Sequence, residues 1–198
     1  ILFRAWAGAQ CVGYAGKQAG GSVVGGHTPE AARVASRKLR QAAVDAERRP
    51  EDSKIYVGVA VVPSRTEAEA RAKYAEYLAH ASPEGGLAHF AASTGVDFAK
   101  YGLDEPIAFG NTNAIQSAAQ AAQQQGLTTR RKLLEQFSLG SRYTTMVGDA
   151  SQVADELERW IDVGEIDGFN LTRIVVPETW EDFANLVVPE LQNRGRYR

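Results

Sequence analysis

The sequence predicts an α/β fold built on a parallel sheet, and three observations carry that prediction. Residues Ile55 to Val62 of "KIYVGVAVVPS" are apolar on both alternating faces, the pattern of a parallel strand covered on both sides. Shorter apolar runs, each ended by glycine or turn residues, alternate with helical periodicity in the rhythm of βαβ units. The 198 residues are 44% hydrophobic and 23% charged, the balance of a soluble globular chain with enough length for one ordinary domain.

The elements follow in order. "ILFRA" is a short buried strand, "WAGAQ" its turn, and Gln10 to Ala19 a helix of small residues suited to close packing on a sheet. Ser22 to Gly26 is a second strand ended by glycines. Thr28 caps the next helix, Pro29 suits its first position, and Ala31, Val34, Ala35, Leu39, Ala42 and Ala46 recur at helical spacing. After the third strand, Thr66 to Ala81 reads as a helix.

The rhythm breaks between Pro83 and Gly110, where glycines, two prolines and the lack of a sustained period predict an irregular, lid-like insertion. "NAIQSAAQAAQQQG" and "TTRRKLLEQF" read as two helices separated by Gly126. Asp149 with Gln152 three residues on forms a capping-box pattern; Val153, Leu157, Trp160 and Ile161 mark one helical face, and Gly164 ends it. "DGFNLTRIVV" is a strand of about nine residues. Thr179 with Asp182 caps a final helix whose buried stripe is Trp180, Phe183 and Val187. Four strands, each leading to a helix, thus account for most of the chain.

Several function classes lose support at once. A net charge of −2 offers no electrostatic case for nucleic acid or an acidic membrane, and no apolar run approaches the roughly 18 residues of a bilayer span. Cys11 is the only cysteine, so a reducing, cytoplasmic setting is expected. His27, His80 and His89 lack metal-ligand spacing, and no GxSxG elbow is present. His27, at a strand's end, lines a pocket or plays a surface or cap role. The basic residues Arg33, Arg37, Lys38 and Arg40 sit close to Asp45 and Glu47 and read as a solvated face. Asp97, Lys100, Tyr101, Asp104 and Glu105 either reach a ligand or pack a lid. The glycines of the first turn fail both phosphate-loop templates, although a loop between a strand and a helix N-terminus suits an anion.

"VGDASQVADELERWIDVGEIDGFNL" followed by "PETWEDFANLVVPELQNRGRYR" resembles the C-terminal end of flavin-dependent monooxygenases in the bacterial-luciferase-like superfamily. The branch containing nitrilotriacetate and dibenzothiophene-sulfone monooxygenases is the nearest match. "YGLDEPI", "GNTNAIQS" and "FSLGSR" resemble the same branch in the same order. The resemblance implies that residues 1–198 are the C-terminal half of a (β/α)8 TIM barrel, with the insertion at about 83–110, and that Ile1 resumes a fold.

The activity it implies is two-component monooxygenation. A separate flavin reductase supplies reduced FMN, and the enzyme, a cytoplasmic homo-oligomer, uses O2 to oxygenate a small organic substrate. The family's first turn here resembles "QAGSSxAG", whose serines and backbone amides hold the flavin phosphate. The matching residues are Trp6, Ala7, Gly8 and Ala9, so both hydroxyls are replaced, and Arg4 is the nearby charge. No catalytic residue and no metal ligand is assigned. The alternative is a non-catalytic remnant that acts by associating with a related subunit.

Overall fold

The computed structural model describes residues 2–5, 9–109, 119, 122–123, 125–139 and 143–198. It divides into two compact units, residues 1–75 with 143–198, and residues 76–142.

The strands are β1 (Phe3–Ala5), β2 (Gly21–Val24), β3 (Lys54–Ser64), β4 (Thr144–Asp149) and β5 (Gly168–Thr172). The helices are α1 (Ala9–Gln18), α2 (Pro29–Val44), α3 (Glu67–Ala79), α4 (Pro83–Thr94), α5 (Arg130–Gln136), α6 (Ala150–Gly164), α7 (Glu178–Asp182) and α8 (Val188–Asn193). A π-helical turn, Phe183–Val187, joins the last two. Every strand pairing is parallel, as the two-faced apolar run of β3 predicts.

β3 organises the sheet. It pairs with β2 over Lys54–Val57, with β5 over Tyr56–Ala60 and with β4 over Val59–Ser64. A strand has two edges, and the β5 ladder overlaps both of the others. β2 and β4 therefore share one edge of β3, one after the other, while β5 takes the opposite edge. Thr144 at the start of β4 donates its hydroxyl to the His27 carbonyl just past β2, at 3.3 Å, which fastens the junction.

Alternation separates two faces. Ile55, Val57, Val59 and Val61 join Val24 and Met146 in a core closed by Ala32, Ala35 and Leu39 of α2 and by Val153, Leu157 and Trp160 of α6. Each of the larger side chains contributes roughly 1.5–3 kcal/mol by leaving water. The buried Trp160 indole donates to Glu156 Oε1 at 3.0 Å, so its polar atom is satisfied within one helical turn.

The other face is floored by aromatic rings lying over glycines. The Phe3 ring occupies the space a side chain at Gly21 would need, and the Tyr143 ring does the same at Gly58. The Tyr56 ring lies 3.2 Å from where a Cβ of Gly168 would sit. Phe3 and Tyr56 also meet, with ring centroids 6.0 Å apart. Glycine on one strand thus makes room for a ring from its neighbour, which restores the contact that a missing side chain forfeits.

The second unit has its own core of Leu87, Phe90, Val96, Phe98, Ile107, Ala122, Leu133 and Phe137. The Phe90 and Phe137 rings stack at 4.4 Å. The stretch 83–110, aperiodic in sequence, carries the regular helix α4: Ser82 accepts from the Gly85 amide, and Gly95 closes it at φ 68°. Its many glycines and alanines conceal the helical period. Of the two helices read around Gly126, the second is α5, whereas most of "NAIQSAAQAAQQQG" lies outside the described residues.

Three further expectations need correction. The sheet contains a fifth strand, β4, where the sequence reading had none. The last strand spans five residues, not nine, because Arg173 to Pro177 leave the sheet as a loop. The final helix begins at Glu178, and Thr179 caps nothing: its buried hydroxyl accepts from the Ile174 and Val175 amides at 3.3 and 3.1 Å and holds that loop. Trp180 is exposed, although Val187 is fully buried. Pro189 cannot donate to the carbonyl four residues back, and the widened π-turn before it absorbs the lost bond.

Candidate functional site

In a parallel α/β sheet, ligands gather at the carboxyl ends of the strands, and here the two ends differ sharply. The amino end is tied down. Asp167 Oδ2 accepts from the Ile55 amide at 2.9 Å and from Arg40 at 3.2 Å, and Lys54 lies 3.5 Å from the same carboxylate. Arg37 forms a bidentate pair with Glu165, whose backbone is left-handed at φ 52° and whose carbonyl accepts from the buried Ser36 hydroxyl. The Arg37 guanidinium accordingly holds the Glu165 carboxyl below its ordinary range. Half of the basic cluster read from the sequence of α2 is thereby accounted for, since Arg37 and Arg40 are both in structural pairs.

The carboxyl end carries the residues that the sequence reading singles out for the cofactor. β1 ends at Ala5, and α1 starts at Ala9, so a strand and a helix stand on either side of the stretch the sequence reading singles out. Trp6, Ala7 and Gly8 lie outside the described residues, and Ala9 is the first residue of α1. α1 carries no acidic residue in its first turn. Its C-terminal carbonyls are already occupied: Arg48 donates to Gly16 O at 2.6 Å and to Ala19 O at 3.0 Å. The helix is fixed laterally at Gly16, where any Cβ would overlap the Ala42 carbonyl and lie 2.8 Å from the Ala42 Cβ. An anchored helix thus aims its amino end, with the positive end of its dipole, at the mouth of the sheet.

Beyond β2 come Gly25, Gly26 and His27. His27 is half-buried, and burial pushes its imidazole below the ordinary histidine range, which keeps it neutral at pH 7. Exposed Arg65 and Arg173 follow β3 and β5 at the same end of the sheet. Ser64 donates to Glu69 Oε2 at 3.2 Å, and the Asp149–Gln152 capping box is formed as the sequence predicts. Lys73 of α3 is held by Glu178 and Asp182. Burial opposes the ammonium, but the two carboxylates outweigh it and raise its pKa.

The candidate ligand residues of the insertion are engaged otherwise. Asp104 binds Arg131 through both oxygens at 2.7 and 2.8 Å, Glu105 accepts from the Gly102 amide, Asp97 caps the short turn at Phe98, and the Tyr101 hydroxyl donates to Ala108 O. Their alternation of charge serves the second unit's own loops. The sequence reading missed the ion-pair floor around Asp167, whose only signal is the Asp–Gly step before the last strand. Among the described residues no three metal-ligating side chains cluster, and no helix is long and apolar enough to cross a membrane.

The chain is similar to known proteins over most of its length. The family described as luciferase-like monooxygenase matches residues 4–165. The dimethyl-sulfide monooxygenase of Hyphomicrobium sulfonivorans is 35% identical over 99% of this chain, which spans 42% of that protein's length. The long-chain alkane monooxygenase of Geobacillus thermodenitrificans is 33% identical over 93% of the chain and 38% of its own length. Among solved structures, DmoA from Hyphomicrobium sulfonivorans superposes with a TM-score of 0.86 at 35% identity, covering 99% of this chain and 42% of that one. The riboflavin lyase RcaE, solved with a modified FMN and riboflavin, superposes with a TM-score of 0.88 at 27% identity, over 100% of this chain and 44% of its own.

Proposed function

Because the chain belongs to the luciferase-like monooxygenase family, we propose that it forms part of an FMN-dependent monooxygenase that receives reduced flavin from a separate reductase and uses O2 to oxygenate a small organic substrate. The same reading makes it a cytoplasmic homo-oligomer. The observation that carries it is the anchored amino end of α1, at the carboxyl edge of a parallel sheet.

What is described there fits a flavin phosphate. No acidic residue lies in the first turn of α1, whose amino end carries the positive end of the helix dipole, and Arg48 satisfies the opposite end. Trp6, Ala7, Gly8 and Ala9 would hold the phosphate through backbone N–H groups alone. FMN, when bound, supplies the redox and oxygen chemistry, and the protein binds, orients and shields it. His27, neutral at the same end of the sheet, offers a polar lining that repels no cationic or neutral substrate.

The test is titration of the purified chain with FMN, oxidised and then anaerobically reduced, followed by flavin fluorescence. Saturable binding is expected. Ala7→Ser and Gly8→Ser, which restore the hydroxyls, should each tighten it about tenfold or more, the worth of roughly 1.5–3 kcal/mol for a bond to a charged group. If neither the parent chain nor the serine variants bind at high concentration, the flavin reading fails for this chain. The loss of both hydroxyls favours the second reading, a non-catalytic chain that acts by associating with a related subunit.

A further inference from the structure

We propose that residues 76–142 are a conformational device built into the fold: an inserted unit that unfolds and re-forms as one cooperative body while the sheet of the first unit stays folded. The inference rests on contacts inside that unit and is independent of flavin binding.

The helices of the unit need nothing from the sheet to start or stop. Ser82 accepts from the Gly85 amide, Pro83 opens α4, and Gly95 ends it in the left-handed region. Thr129 accepts from the Lys132 amide and caps α5 in the same way. Such caps satisfy helix ends locally, whereas β3 depends on partners from distant parts of the chain.

The packing is equally self-contained. Among the described residues, the core of each unit is drawn from that unit alone. Phe90 of α4 is the hub of the second core. Its ring stacks on Phe137, at the end of α5, with centroids 4.4 Å apart, and on Phe98, in the turn after α4, at 5.6 Å. Leu133 of α5 is fully buried in the same cluster.

Polar contacts close the same loops. The stretch between the helices is pinned where the Ile107 amide donates to Thr128 O at 2.8 Å and the Arg131 amide donates to Leu103 O at 2.9 Å. Arg131 also holds Asp104, and Arg130 donates to Glu84 Oε1 at 2.9 Å, joining the first turn of α4 to the first turn of α5. These two ion pairs span 27 and 46 residues of sequence, so they form and break with the core rather than one helical turn at a time.

Size decides which unit yields first. The second unit is the smaller, and a domain of roughly 60 residues buries only about 60% of the surface that its unfolded chain exposes. It therefore has the lower free energy of opening, the property of elements that open without global unfolding.

The test is hydrogen exchange, read by mass spectrometry on the full 198-residue chain. In the parent, amides of α4 and α5 should exchange together and faster than those of β3. Phe90→Ala should speed exchange across both α4 and α5 by at least about tenfold and leave β3 and α6 within about twofold. Phe90→Leu, which keeps most of the ring's volume, should show the same pattern at smaller amplitude. Leu157→Ala, in the core of the first unit, is the reciprocal variant: it should speed β3 and α6 and leave α4 and α5 unchanged. Equal acceleration of β3 by Phe90→Ala, or of α4 by Leu157→Ala, would mean that the chain unfolds as one body and would overturn the proposal. So would a parent chain in which β3 exchanges before α4, or a Phe90→Leu variant in which α4 and α5 respond separately.

Discussion

Two glycines three residues apart on α1 should respond to the same substitution with opposite signs. An exposed helical Gly→Ala change ordinarily stabilises by about 0.5–1 kcal/mol, because alanine gives up less backbone freedom. At Gly13 nothing lies within 4 Å of the added methyl, so Gly13→Ala should show that gain in full. At Gly16 the methyl would overlap the Ala42 carbonyl of α2, which is backbone and cannot rotate away. Because the obstacle is backbone, the cost lies towards the upper part of the roughly 1–3 kcal/mol range for overpacking, about 2–3 kcal/mol, which outweighs the propensity gain and leaves a net loss of about 1–2 kcal/mol. With roughly 2–4 °C per kcal/mol for a chain of this size, Tm should rise by about 1–4 °C for Gly13→Ala and fall by about 2–8 °C for Gly16→Ala. Urea titration of both variants would confirm the ordering through the midpoints. If Gly16→Ala stabilises as Gly13→Ala does, α1 does not rest on α2 at this distance, and the aim of its amino end is unsupported.

Asp167→Ala should cost about 1–3 kcal/mol in urea titration, because it leaves the part-buried Ile55 amide without its acceptor. His27 is neutral in the fold below its ordinary pKa of 6.5, so the unfolded chain takes up that proton first as pH falls; stability should drop below about pH 6.5 and level off beneath the folded pKa, and His27→Gln should remove that slope. NMR titration of the imidazole carbon checks this directly, and a midpoint at or above 6.5 would refute it. The Glu165 carboxyl is depressed by Arg37, so its contribution is present above its unfolded pKa near 4.5 and fades as pH falls further; Arg37→Met should flatten the acid limb of the midpoint–pH curve.

Parts of this fold are written plainly in the chain. β3 is legible because burial on both faces leaves no polar residue from Ile55 to Val62. α6 is legible because its cap, its stripe and its terminal glycine agree, although the left-handed residue is Glu165 rather than Gly164. β4 was hidden because "TTMVGD" is short and half-polar, and it earns its place only by completing an edge that β2 leaves uncovered. The last helix misled for a different reason. Thr179 looks like a cap, but its hydroxyl serves the loop that precedes the helix, and Pro189 is tolerated through a widened turn that no local pattern announces. The site was legible only as a placement, at the end of the first strand. Nothing in "WAGAQ" indicates a ligand without the family resemblance, whereas the neutrality of His27 depends on burial that sequence alone does not report.

The double occupancy of one β3 edge has a consequence for how the chain is made. As it leaves the ribosome, β1, β2 and the lower half of β3 can pair as soon as they appear. The upper half of β3 cannot, since Val59 waits for Thr144 and the whole second unit is translated in between. At 5–20 residues per second, those 85 residues take roughly 4–17 s. For that interval the most hydrophobic segment of the protein presents an open edge to the cell.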